Sequence, residues 1–210
     1  LLDIFLQLKP GESCIVQTSA TKISGNLFPY TEKSGDGIAI GDKWDLKFLS
    51  GGPSIPVSTR LNDLRSWTEL DIAGVKEFSG TAAYSTYFKI PSVKADTWLL
   101  DLGDVKESAT IILNGKKITT VIGPSYSVII PAAQLKQENQ LQVIVTNGMA
   151  NRIIDLDKRG VQWKKFYNIN MSARLAENRG ADGLFTAAKW YPRPSGLLGP
   201  VTFTPLKYIR

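Results

Sequence analysis

Histidine is absent from the 210 residues, and cysteine occurs once. Without imidazole, Ser-His-Asp and Cys-His catalysis, His-ligated metals and the usual near-neutral proton shuttle are excluded. A single thiol permits neither an internal disulfide nor a cysteine-based zinc site. Cys14 lies in the apolar-alternating run Ser13–Gln17, so it is expected to be a buried structural thiol and not a nucleophile. No apolar run approaches the roughly 20 residues of a membrane span, and no charged n-region with an apolar h-region follows Leu1. The chain reads as a piece of a longer polypeptide.

What is present describes a folded domain. Hydrophobic residues make up 43% and charged residues 21%, ample for a core and near the globular norm. Acid/base chemistry is left to carboxylates, Lys, Tyr and Arg. The net charge of +6 reads as modest and spread along the chain, so no nucleic-acid partner is indicated.

The hydrophobic period is two. Tyr84, Thr86, Phe88 and Ile90 share one face of a run stopped by Pro91. Trp98, Leu100 and Leu102 alternate in the next run, and Trp44, Leu46 and Phe48 in an earlier one; both tryptophans are expected in the core. Ala109–Leu113 and Lys116–Val121 flank Asn114-Gly115, a pair that tolerates the positive φ of a type I′ hairpin turn. Tyr126–Ile130, Gln140–Thr146 and Gly199–Thr204 complete the set, with a helical turn expected after Pro131. Short, regularly spaced strands with Gly, Pro and Asn turns mean a sandwich or barrel. Ile4–Leu8 and Ser13–Gln17 read as two further strands around the turn Lys9–Glu12. Residues 18 to 41 read as an exposed linker. Ile153 to Arg179, with Trp163, Phe166 and Tyr167 among many charges, reads as a long, partly helical excursion of the kind that carries function on a rigid sandwich. Trp67 is expected to pack in the link between Leu64 and Phe78.

Several of these runs resemble a known module. Tyr84…Phe88…Ile90-Pro91, Leu100-Asp-Leu-Gly-Asp-Val105, Ala109…Leu113-Asn-Gly115 and Leu141…Val145 resemble the jelly-roll domain of family 2 and related glycoside hydrolases. Leu2 to Val16 looks like the closing strands of a preceding domain in such enzymes. Ser66-Trp-Thr68, Phe78-Ser-Gly-Thr-Ala82 and Ser195-Gly-Leu-Leu-Gly-Pro-Val201 resemble the C-terminal end of family 106-type α-L-rhamnosidases. The resemblance implies an all-β fold, a galactose-binding domain-like jelly-roll β-sandwich with short helical insertions. Residues 1–42 would form lead-in strands and linker, the end of a preceding β domain, and 43–210 the sandwich. It further implies a larger extracytoplasmic enzyme, periplasmic or secreted, with a signal peptide upstream and catalytic carboxylates in a separate domain. Related sandwiches often hold a structural calcium; no other cofactor is implied. Fold likeness alone is an associational warrant for function.

Glycoside hydrolysis needs an Asp/Glu pair about 5–9.5 Å apart, and 19 carboxylates make some such pair unremarkable. Glu69 and Asp71 read as solvated strand-edge residues. Gly11-Glu-Ser13 starts like a nucleophile elbow but lacks the closing glycine and any base. Asp155-Leu-Asp-Lys-Arg-Gly160 starts like a calcium loop but carries Arg159 at position five and Phe166 at position twelve. Asn170-Met-Ser172 is a sequon relevant only to a eukaryotic secretory pathway. Basic residues interleaved with Trp163, Phe166 and Tyr167 have the elements of a single-strand nucleic-acid surface, but Asp155 and Asp157 dilute them.

Trp163 and Trp190 have polar or irregular neighbours. Trp190, Tyr191 and Arg193 place in one loop an aromatic face for a sugar ring and donors for its hydroxyls, with Trp163 as a further candidate. The competing role, which sequence favours because it carries no orientation, is to clasp the loop to the sandwich or to a neighbouring domain. Three functions compete: a non-catalytic module packed on the catalytic domain of its own polypeptide, with carbohydrate contact; an autonomous carbohydrate-binding module; and a small glycosidase using carboxylates only. The first is the expectation, with no catalytic residue, nucleic acid or membrane.

Overall fold

The computed structural model describes residues 3–25, 28–166, 168–169 and 171–209. Its strands are β1 (Thr31–Lys33), β2 (Ile38–Ala39), β3 (Trp44–Gly52), β4 (Thr59–Leu61), β5 (Ser79–Lys89), β6 (Thr97–Asp101), β7 (Asp104–Lys106), β8 (Ser108–Leu113), β9 (Lys116–Ile122), β10 (Ser127–Pro131), β11 (Glu138–Thr146), β12 (Gly196–Gly199) and β13 (Thr202–Tyr208). Among the described residues, one α-helix, α1 (Ala150–Lys158), and four 3₁₀ turns interrupt them. The expected all-β jelly-roll sandwich is the observed architecture. The helical turn after Pro131 is also present, as Ala132–Gln134.

Two antiparallel sheets form the sandwich. One has six strands in the order β4-β3-β5-β11-β8-β9; the other runs β1-β13-β6-β10, with β2 also on β13. β12 and β7 make a small third ribbon. Alternation in sequence becomes rows across the sheet. Leu46, Tyr84, Val143 and Ile111 are register neighbours on β3, β5, β11 and β8, and all four are buried. Phe48, Ala82, Val145 and Ala109 form the next row. Burying such side chains contributes on the order of 1.5–3 kcal/mol each. The opposite sheet answers with Trp98, Leu100, Ile130 and Phe203. Phe203 stacks on Trp98 at 4.9 Å and meets the edge of Phe88 at 5.4 Å, joining the two sheets. The hairpin turn takes the expected form, with φ of 52° at Asn114 and 80° at Gly115.

Trp67 is fully buried, edge-on to Phe48 and Phe78 at 5.7 and 5.8 Å. Its 3₁₀ turn, Trp67–Glu69, is capped by the Ser66 hydroxyl, which accepts the Thr68 N–H. Glu69 therefore ends a helical turn and Asp71 follows it; both are exposed, as expected, but neither is at a strand edge.

The N-terminal segment departs from expectation. Among the described residues no strand forms between 3 and 25, although the turn at Pro10-Gly11 is present. The alternating runs there form no backbone ladder with any strand, and a ladder is what a strand requires. Gln7 instead clips the segment to β1 by its side chain, donating to the Thr31 carbonyl at 2.7 Å and accepting the Thr31 N–H at 2.8 Å. Ile15 is 99% exposed and Cys14 is exposed, so the expected buried thiol is corrected: nothing packs over Ser13–Gln17. The presumed linker from 18 to 41 likewise contains β1 and β2, both paired with β13. No helix among the described residues is long and apolar enough to cross a membrane.

Candidate functional site

The excursion between β11 and β12 is fastened to one end of the sandwich by buried polar side chains. Asn147, just after β11, accepts the Gly80 N–H at 2.8 Å and donates to the Phe78 carbonyl and the Ser195 hydroxyl at 3.1 and 3.0 Å. Asn151, in the first turn of α1, accepts the Arg193 N–H at 2.6 Å and donates to the Arg193 carbonyl at 2.9 Å. Ser79 donates to the Gly148 carbonyl and accepts the Arg152 N–H. The Ser195 N–H donates to the Ser66 hydroxyl at 2.9 Å. Ser66, Ser79, Asn151 and Ser195 are all buried, so each needs these partners to offset its desolvation. Ser66, Ser79 and Ser195 belong to the segments that carried the sequence resemblance. Gly196 has φ of 103°, and a Cβ there would lie 2.2 Å from the Tyr84 hydroxyl.

The excursion has its own small core of Ile154, Ala173, Phe185 and Ala187, with Ile153 and Trp190 at its margin. Asp157 ties it together. Its side chain is 3% exposed and ion-paired with Lys164 at 3.0 Å; its carboxylate also accepts the Trp163 indole N–H and the Ala187 N–H, each at 2.7 Å. Burial alone would push the Asp157 carboxyl upward. The Ala187 amide, the Trp163 indole and the Lys164 ammonium together outweigh that and hold it below the ordinary carboxylate value. Asp155 lies between Arg152 and Arg159, at 2.9 and 2.8 Å. The two aspartates of the calcium-like motif are thus engaged with cations and N–H donors. Among the described residues no group of three or more His, Cys, Asp or Glu is placed to hold a metal.

Trp190 is half-buried. Its indole N–H donates to Asn178 Oδ1 at 2.7 Å, its ring meets Phe185 edge-on at 5.7 Å, and the Arg193 guanidinium stands 5.7 Å from its centroid. Tyr191 is 88% exposed. Trp190, Tyr191 and Arg193 line one cleft of about 650 Å³, together with Asn178, Glu177 and Lys189. Trp163 is not in it. It lines a smaller cleft of about 270 Å³ with Lys164, Phe166 and Phe185, and the Lys164 ammonium is 5.4 Å from its ring. The candidates therefore divide into a trio and a neighbour, with Phe185 touching both groups. Asn178 positions Trp190, Asp157 positions Trp163 and Asn151 positions the backbone of Arg193; no spacing or motif in the sequence marks the two asparagines, and Asp157 showed only as part of an incomplete calcium-like motif. Tyr167 and Asn170 lie outside the described residues.

The ionisation of Asp45 and Asp157 gives no support for acid catalysis. Asp45 is held low by the hydrogen bond from Arg60 at 2.7 Å, so both carboxyls are displaced opposite to the direction a glycosidase general acid needs.

Comparison with known proteins places this arrangement. A rhamnosidase structure from Novosphingobium sp. PP1Y superimposes with a TM-score of 0.63 at 26% identity, covering 89% of this chain and 16% of its own. A protein of Formosa agariphila described as "Putative beta-glucuronidase" is 32% identical over 201 residues, 87% of this chain and 17% of its own length. No family model matches the chain. These relatives are glycoside hydrolases. The chain spans under a fifth of the length of each.

Proposed function

We propose that this chain is a non-catalytic β-sandwich module of a larger, extracytoplasmic glycoside hydrolase of α-L-rhamnosidase type. In this reading residues 43–210 form the sandwich domain, and 1–42 lead in from a preceding β domain, with β1 and β2 carrying the lead-in onto β13. The sandwich packs on the catalytic domain of the same polypeptide, and the cleft of Trp190, Tyr191 and Arg193 contributes a carbohydrate contact, with Trp163 beside it. The observation that carries the reading is the match of 89% of this chain to only 16% of a rhamnosidase at a TM-score of 0.63.

An autonomous carbohydrate-binding module is the second reading, favoured by one observation: Tyr191 stands 88% exposed at the rim of a cleft. Both readings are tested on the isolated chain. Incubation with aryl α-L-rhamnosides and aryl β-glucuronides should give no turnover above buffer. Turnover abolished by one Asp or Glu substitution would overturn both readings in favour of a carboxylate-only glycosidase. A glycan array with and without calcium then separates the two. Binding lost in Trp190→Ala supports a targeting role; no binding by a folded sample supports a module whose only partner is its own enzyme and removes the carbohydrate contact from the first reading.

A further inference from the structure

The positive charge of this protein is not dispersed as it first reads. Residues 150 to 195 hold nine Lys and Arg against four Asp and Glu, so a segment of 46 residues carries +5 of the net +6. Three of the nine, Arg152, Arg159 and Lys164, are ion-paired on Asp155 and Asp157. Lys189 and Arg193, which line the cleft, form no ion pair among the described residues. Glu177 is the single acidic side chain in the lining, so the cleft remains cationic.

Arg193 is unusually well placed for a surface cation. Asn151, itself buried, holds both its backbone N–H and its carbonyl, at 2.6 and 2.9 Å. The guanidinium sits over the Trp190 ring, and that ring is pinned in turn by Asn178. A guanidinium held near an aromatic ring by its charge, and engaged in no ion pair, keeps N–H donors for bidentate contact with a carboxylate. A pre-positioned cation loses less side-chain freedom on binding than a free one. Tyr191 adds an exposed ring that can cover the apolar face of a sugar.

From this we infer that the cleft takes an acidic sugar, a uronate residue whose carboxylate is received by Arg193 and Lys189 while its ring lies on Tyr191. This rests on the reading of the cleft as a carbohydrate contact and adds the class of sugar. Trigalacturonate, its fully methyl-esterified form and a sulfated galactan trisaccharide are titrated into the 210-residue chain by calorimetry. Trigalacturonate binds, and the ester, with the same rings and no charge, binds at least about tenfold more weakly, the scale of one charge-assisted hydrogen bond. Arg193→Ala loses about 10–100-fold, and Arg193→Lys recovers little of it, because the bidentate fork is missing. Both variants stay folded with a melting temperature close to the wild type, since Asn151 holds the backbone of residue 193 and only the side-chain contact with the Trp190 ring is changed.

Equal affinity for acid and ester overturns the uronate assignment while leaving a carbohydrate contact in place. Binding of the sulfated sugar alone overturns it too, in favour of a sulfate site. Failure of all three sugars removes the carbohydrate reading itself. Affinity that follows ligand charge alone and is unchanged in Tyr191→Ala makes the cleft a general polyanion surface and also overturns the proposal.

Discussion

Asp157 shows how much of a loop-rich segment can hang on one carboxylate. Its side chain is almost fully buried, and it holds a tryptophan, a lysine and a backbone amide at once. Asp157→Ala leaves Lys164, itself only 15% exposed, without its counter-ion and strands two N–H donors. The expected cost is about 3–5 kcal/mol, the range for breaking a buried pair, read as a lower denaturant midpoint. The pH dependence follows from the direction of the shift. A carboxyl whose folded value is depressed contributes stability fully above its unfolded value, near 4, and loses it as pH falls through the lower folded value. Trp163 fluorescence should therefore be flat from neutrality to about pH 4 and change below it. In Asp157→Asn this acid-induced step should be absent. The sequence showed Asp157 only as half of a failed calcium loop; the donors that converge on it come from residues 163, 164 and 187.

The β-elements were legible in detail; the excursion was legible as a long, partly helical segment but its fastening was not, for a physical reason. A strand with one buried face writes its period of two into the chain, as Trp98-Leu-Leu100 and the Asn114-Gly115 hairpin do. That signal still needs a partner. Ile4–Leu8 and Ser13–Gln17 alternate as well, but no strand among the described residues pairs with them, and Cys14 is left exposed. The excursion has no period because it is held by side chains to backbone. Asn151 is its main fastening, joining α1 to the strand entry at Arg193–Ser195. Asn151→Ala should cost about 1–3 kcal/mol, the penalty for stranding a buried backbone group. It should also open the segment 160–190 to limited proteolysis at protease levels that leave the parent chain intact, while the six-stranded sheet retains slow amide exchange.

At the scale of the molecule, stability depends on contacts between distant segments. Trp67 from the 3₁₀ turn, Tyr84 from β5 and Gly196 from β12 meet at one point, with no room for a methyl group at Gly196. Gly196→Ala should therefore act on the whole sandwich. The side chain would sit within 2.2 Å of the Tyr84 hydroxyl and 2.8 Å of the Trp67 ring, on a backbone with φ of 103°. An overpacking and strain cost of about 2–4 kcal/mol follows, seen as one cooperative transition at a lower temperature. Gly80→Ala meets the Ser50 carbonyl at 2.1 Å and should behave alike. The two glycines stand in the segments Phe78–Ala82 and Ser195–Val201, so packing accounts for the residues on which the resemblance to rhamnosidases rested.

Sequence by itself determined the fold class, most strands, the hairpin and the exclusion of imidazole chemistry, because each is written in local period or in composition. It also singled out Trp190, Tyr191 and Arg193, since aromatic and basic side chains in one irregular loop are visible without coordinates. Only the tertiary structure decided that those three share a cleft while Trp163 lines another. Only it showed that Asn151 and Asn178 aim them and that Cys14 is exposed. Those facts depend on which groups meet at the end of the sandwich, and no spacing along the chain encodes a meeting between residues 12 or 42 positions apart.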